Sequence, residues 1–162
     1  MAEQDEVILT VKASAPRRVF GVSLLLFLGL LLIYLAFNGE VQGFDIKAFL
    51  VVMGGVALYL AERMRQATNE AIELTGTQLR TSRGEVLAEL DQILRVDRGT
   101  FAFKPSNGFI MVLRAAGPRR WQPGMWWRIG RRVGVGGITS AAQAKAMAEV
   151  IQAQIVAAEG GR

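Results

Sequence analysis

The chain has 162 residues, a formal net charge of +5 and a pI near 10.2, with 51% hydrophobic residues and neither Cys nor His. Without Cys there is no disulfide framework and no thiolate nucleophile, and without His the Ser-His-Asp and Cys-His hydrolases and most zinc sites are excluded. The basic balance points to phosphate-rich partners, either nucleic acid or anionic lipid.

Residues 1–18 form a polar N-terminal segment with one short alternating run, Val7-Ile8-Leu9-Thr10-Val11-Lys12, which reads as a small strand. Pro16-Arg17-Arg18 ends it and puts two positive charges directly before a greasy stretch. Residues 19–37, VFGVSLLLFLGLLLIYLAF, carry no charge. At ~1.5 Å per residue a helix of this length covers about 28 Å, close to the hydrocarbon thickness of a bilayer. A buried helix of a soluble domain normally shows a polar face. Here only Ser23 and Tyr34 are polar, and Tyr34 stands near the end, where aromatic belts form. The run is too long for a signal-peptide core, and no small-x-small pattern follows at Asn38-Gly39-Glu40.

Residues 38–45 make a polar turn. Residues 46–61, IKAFLVVMGGVALYLA, are a second greasy stretch with Lys47 in its first turn, where the ammonium can snorkel to headgroups. The helix continues through Glu62-Arg63, so spans at 19–37 and 46–63 form a two-helix hairpin over 19–65. Gly21 and Gly29 in the first span and Gly54-Gly55 in the second would let the backbones approach, although neither span contains a strict Gly-x-x-x-Gly. Lys12, Arg17 and Arg18 precede the first span and Arg63 and Arg65 follow the second, whereas the connection holds Glu40 and Asp45. The positive-inside rule therefore predicts a multi-pass protein of the inner membrane, with both termini and the soluble part cytoplasmic.

Strand-like runs follow at 71–75, 78–82 and 85–90, punctuated by Gly76 and Arg83-Gly84. Ile93, Val96, Phe101 and Phe103 add apolar points, and Lys104-Pro105-Ser106-Asn107-Gly108 carries the Asn-Gly hairpin signal. Residues 109–113, FIMVL, read as a buried strand, and Gly117-Pro118 as the next turn. After a long stretch to Gly137 comes a helix capped by Thr139 or Ser140. Gln143 stands three residues after Ser140, as in a capping box; the helix runs to about Ala158, and Gly160-Gly161 stops it. Several antiparallel strands and one closing helix make an α+β pattern.

Two spans, short strands, a basic Trp-containing stretch, a last strand and a final helix resemble the bacterial pleckstrin-homology-like domains found on small membrane proteins. The similarity rests on Ile72-Glu73-Leu74-Thr75 through Gln78-Leu79-Arg80, on residues 90–93 with Val96, and on Arg132-Val133-Gly134-Val135-Gly136-Gly137 leading into the helix. The resemblance implies a membrane α-helical hairpin plus an α+β domain over 71–158: an antiparallel, partly open PH-like barrel capped by the C-terminal helix. It also implies a binding or scaffolding module. The phosphoinositide motif of eukaryotic relatives maps onto no residue here.

The charge pattern is the most informative feature for function. Between Arg98 and Ala148 there is no Asp or Glu, while Arg98, Lys104, Arg114, Arg119, Arg120, Arg128, Arg131, Arg132 and Lys145 all occur, interleaved with Trp121, Trp126 and Trp127. Trp favours the membrane interface and Arg pairs with lipid phosphate, so Arg119, Arg120, Trp121, Trp126, Trp127, Arg128, Arg131 and Arg132 form the expected contact set for anionic lipid. Alternatively, one or two of the tryptophans plug the barrel and the arginines form a solvated rim, or the face meets a protein partner. No nucleic-acid recognition motif is present. Gly130–Gly137, GRRVGVGG, lacks the Gly-Lys-Ser/Thr of a phosphate loop and suits a strand edge and turn. Glu85, Glu89, Asp91 and Asp97 lie among Arg80, Arg83, Arg95 and Arg98, an alternation typical of surface ion pairs. The sequence thus predicts no catalytic residues, metal site or cofactor. It predicts a membrane-anchored binding module with anionic lipids as partners, or else an accessory subunit packed against other integral membrane proteins.

Overall fold

The computed structural model describes residues 6–38, 43–97 and 107–160. The chain divides into two compact units, one of residues 15–66 and the other of residues 1–14 with 67–162.

The smaller unit is a helical hairpin. α1 (Ala15–Phe37) and α2 (Phe44–Ala67) are both long and apolar enough to cross a membrane. Each extends a few residues beyond the uncharged runs, because Pro16 suits a first helical turn and Glu62-Arg63-Met64-Arg65 continues the second helix. Within the unit the two backbones meet at Gly29 and Gly54. A Cβ on Gly54 would stand 2.7 Å from Ile33 Cγ1 and 2.9 Å from Gly29 O, and one on Gly29 would stand 2.7 Å from Leu58 Cδ2. Large side chains such as Phe20, Phe27, Phe49 and Tyr59 point away from this seam and are exposed.

The larger unit contains two antiparallel sheets and a helix. The first sheet has the order β1-β2-β3-β4, from β1 (Val7–Val11), β2 (Ile72–Thr75), β3 (Gln78–Thr81) and β4 (Val86–Glu89). The second has the order β5-β6-β7, from β5 (Ile93–Asp97), β6 (Phe109–Gln122) and β7 (Trp126–Val135), and α3 (Ala141–Gly160) closes the unit.

The N-terminal segment therefore belongs to the folded unit. β1 pairs with β2, with Val11 opposite Ile72 and Leu9 opposite Leu74, so the helical hairpin is an insertion between two neighbouring strands. Val11 is fully buried among Ile72, Leu74, Leu79 and the α3 residues Ala144, Met147, Ala148 and Ile151. Those four α3 positions recur at the spacing that puts them on one helix face.

Two local expectations change. Gly117-Pro118 does not turn the chain. β6 runs through it to Gln122, and the turn comes at Pro123-Gly124-Met125, where Gly124 takes a positive φ of 79°. A ribbon edge with irregular pairing tolerates the proline, which has no N–H for a ladder. Gln143 also does not close a capping box: its Oε1 accepts from Lys12 N at 3.0 Å, while Ser140 N donates to Lys12 O at 3.0 Å. The helix start is thus tied to β1 rather than to itself. Phe101, Phe103 and the Lys104-Pro105-Ser106 part of the expected turn lie outside the described residues.

Candidate functional site

The arginine and tryptophan stretch folds into the β6–β7 ribbon. At its base, Phe109 faces Val135 and Val112 faces Arg132; towards its tip, Gly117 faces Gly130, Arg120 faces Arg128, Trp121 faces Trp127 and Gln122 faces Trp126. Between Val112 and Gly117 the register slips, leaving Leu113 to Ala116 opposite little but Arg131. Gly130, with φ 58°, lies at this corner, a conformation costly for other residue types. The ribbon curls far enough for its tip to meet the segment after β7: Gly136 N donates to Met125 O at 2.8 Å and Ile138 N to Gly124 O at 3.0 Å.

Residues directly opposite each other share a face, and neighbours along a strand alternate. Arg120, Gln122, Trp126 and Arg128 therefore share one face, which is turned to the rest of the unit. Arg120 Nη1 pairs with Glu85 Oε1 at 2.7 Å. Gln122 Nε2 donates to Glu70 Oε2 at 3.4 Å, and the other oxygen of Glu70 pairs with Arg83 at 3.1 Å. Arg128 Nη1 donates to Leu87 O at 3.4 Å. Trp126, 2% exposed, belongs to the core with Met125, Val133 and Val135, so it has no surface to offer a partner.

The opposite face carries Trp121, Trp127 and Ile129. Trp121 is 58% and Ile129 52% exposed. Trp127 is half-buried because its indole lies on the bare backbone of Gly134, where a side chain would overlap the ring. Arg119 and Arg132 are exposed and form no ion pair among the described residues, whereas Arg131 Nε donates to Leu113 O at 2.8 Å. Arg98 and Lys104 of the basic stretch lie outside the described residues.

The eight residues singled out from the sequence thus divide. Arg119, Trp121, Trp127 and Arg132 remain available, with Arg131 partly engaged by the backbone. Trp126 is buried, Arg128 is partly buried, and Arg120, although exposed, is engaged by Glu85. Ile129 was missed by the sequence reading, although its place two residues after Trp127 on a strand was the available signal. Among the described residues no group of three or more Asp or Glu side chains is placed to hold a metal ion.

No known protein family, curated protein or solved structure matches this chain.

Proposed function

We propose that this protein is a two-span membrane protein carrying a non-enzymatic binding module that rests on the anionic inner leaflet through the β6–β7 ribbon. The observation that carries the reading is the outer face of that ribbon. Exposed Trp121 and Ile129, half-buried Trp127, and Arg119 and Arg132, which form no ion pair among the described residues, combine interfacial aromatics with phosphate-seeking cations. At ~1 kcal/mol per basic residue near an anionic surface, two or three arginines and one inserted Trp give a weak contact. A covalent anchor makes such a contact effective by raising local concentration.

The topology supports the anchor. Because β1 and β2 are adjacent strands, the helical insertion begins and ends at the same sheet, and an even number of crossings follows. The arginines flanking both helices favour the cytoplasm for that side. Four strands, then three strands and a closing helix also agree with a PH-like module, with the hairpin inserted after its first strand.

Sidedness has a clean test because the chain has no Cys. Asn38→Cys, at the end of α1, should react with a membrane-impermeant maleimide on intact spheroplasts. Ala153→Cys, exposed on α3, should react only after permeabilisation. Equal labelling of both positions in intact cells contradicts the reading.

A further inference from the structure

On the inner face of the ribbon one of the two facing arginines has a carboxylate partner and the other has none among the described residues. Arg120 and Arg128 stand directly opposite each other, and Glu85 pairs with Arg120. Arg128 forms no ion pair among the described residues. Its one hydrogen bond there is the 3.4 Å contact to Leu87 O, and its Nε–H is buried with no partner. Arg128 is partly buried, and a buried guanidinium N–H without an acceptor is costly, so an acceptor oxygen reaching it is favoured.

Local geometry presents this guanidinium to a cavity. Leu87 is the residue of β4 left without a counterpart on β3, since Ala88 faces Leu79 and Val86 faces Arg80. β4 is also the last strand of its sheet, and among the described residues no strand pairs with its outer edge. Between that edge and the part of β6 where pairing with β7 slips lies a crevice of about 270 Å³ lined by Val86, Leu87, Glu89, Gln92, Leu113 and Arg128. Gly117 makes room for the arginine head, because any side chain there would overlap the guanidinium.

We propose that this crevice is an oxyanion site in which Arg128, seconded by the amide of Gln92, binds a phosphate group. The backbone of Leu87 and Leu113 and the side chain of Val86 add few polar groups to compete for the guanidinium, which leaves it free to form a charge-assisted bond. Glu89 lines the same crevice without pairing with Arg128, and its carboxylate opposes an incoming anion. The site therefore suits one phosphate at modest affinity rather than a polyphosphate. The phosphate can come from a phosphodiester headgroup of a membrane lipid or from a free phosphate in solution. This inference names a ligand for the inner face, whereas the leaflet contact proposed above uses the outer face, and the two fail separately.

The test titrates the full-length protein in neutral detergent with inorganic phosphate and, separately, with short-chain phosphatidylglycerol, reading binding calorimetrically. Saturable binding of either probe is expected. Phosphate binding marks a free-anion site, and phosphatidylglycerol binding without phosphate binding marks a headgroup site. Arg128→Gln should weaken binding by about tenfold or more, the size expected for one charge-assisted hydrogen bond. Glu89→Gln, an exposed and structurally mild change, should tighten it about twofold to fivefold by removing a like charge. Gly117→Ala keeps the charge of Arg128 but displaces its head, and should weaken binding while the protein stays folded. Arg119→Gln should leave it unchanged. No saturable binding of either probe, or binding that Arg128→Gln and Glu89→Gln both leave unaltered, overturns the proposal.

Discussion

The backbone N–H of Ser14 donates to Ile138 O at 2.7 Å, which ties the residue directly before α1 to the segment between β7 and α3. An isolated bridge between Ala13 and Thr139 lies beside it, and Ile138 in turn donates to Gly124 at the turn of the ribbon. A continuous backbone path within this unit therefore runs from Ser14 to the turn of the ribbon.

Ser14→Pro removes the donor, and the full chain in detergent should lose about 1–3 kcal/mol in thermal or denaturant unfolding. Ser14→Ala keeps the N–H and should change stability by less than about 0.5 kcal/mol. Equal effects of the two substitutions would show that the hydroxyl, not the backbone bond, matters.

The helical hairpin makes a sharper prediction, because two adjacent glycines have opposite surroundings. Gly54 meets Ile33 and Gly29, while a Cβ on Gly55 would find nothing within 4 Å. Gly54→Val should push the helices apart and cost about 1–3 kcal/mol, the usual penalty of overpacking. Gly55→Val should be tolerated. Resistance of the hairpin to unfolding in mixed SDS micelles measures both.

The tryptophans should separate in the same way. Trp126→Ala empties a core position and should cost about 3–5 kcal/mol. Trp121→Ala should cost less than about 1 kcal/mol, since the ring is largely exposed. Denaturant unfolding of the full chain resolves the difference, and similar losses for the two would contradict the assignment of faces.

The two long helices were legible because each rests on a continuous apolar run, a signal that needs no tertiary context. β2, β3 and β4 were legible because Gly76 and Arg83-Gly84 punctuate short alternating runs. The partnership of β1 was not, since strand pairing is non-local and a helical hairpin separates Val11 from Ile72. Pro118 misled for a related reason: the register slips on both sides of Gly117 leave it without a ladder bond to lose, and only the curl of the ribbon reveals that. Gln143 looked like a local cap and instead serves Lys12.

The candidate surface was half legible. Charge and aromatic content picked out the right stretch, but composition does not say which face of a strand looks inward. The register decides that, placing Trp121 opposite Trp127 and Gln122 opposite Trp126. A shift of one residue would exchange the buried and exposed tryptophans. The acid partners of the inner face, Glu70 and Glu85, come from outside the acid-free stretch, so the apparent excess of free arginines shrinks once the chain folds.

The contact of the ribbon with lipid is tested most directly by reconstituting the full-length protein into bilayers whose acyl chains carry bromine, a short-range quencher of Trp fluorescence. Bilayers containing phosphatidylglycerol should quench part of the emission, high salt should reduce that part, and Trp121→Phe should remove most of it while emission from core Trp126 persists. Emission that is no more quenched in anionic than in zwitterionic bilayers, and that Trp121→Phe leaves unchanged in its quenched fraction, contradicts a membrane-facing ribbon.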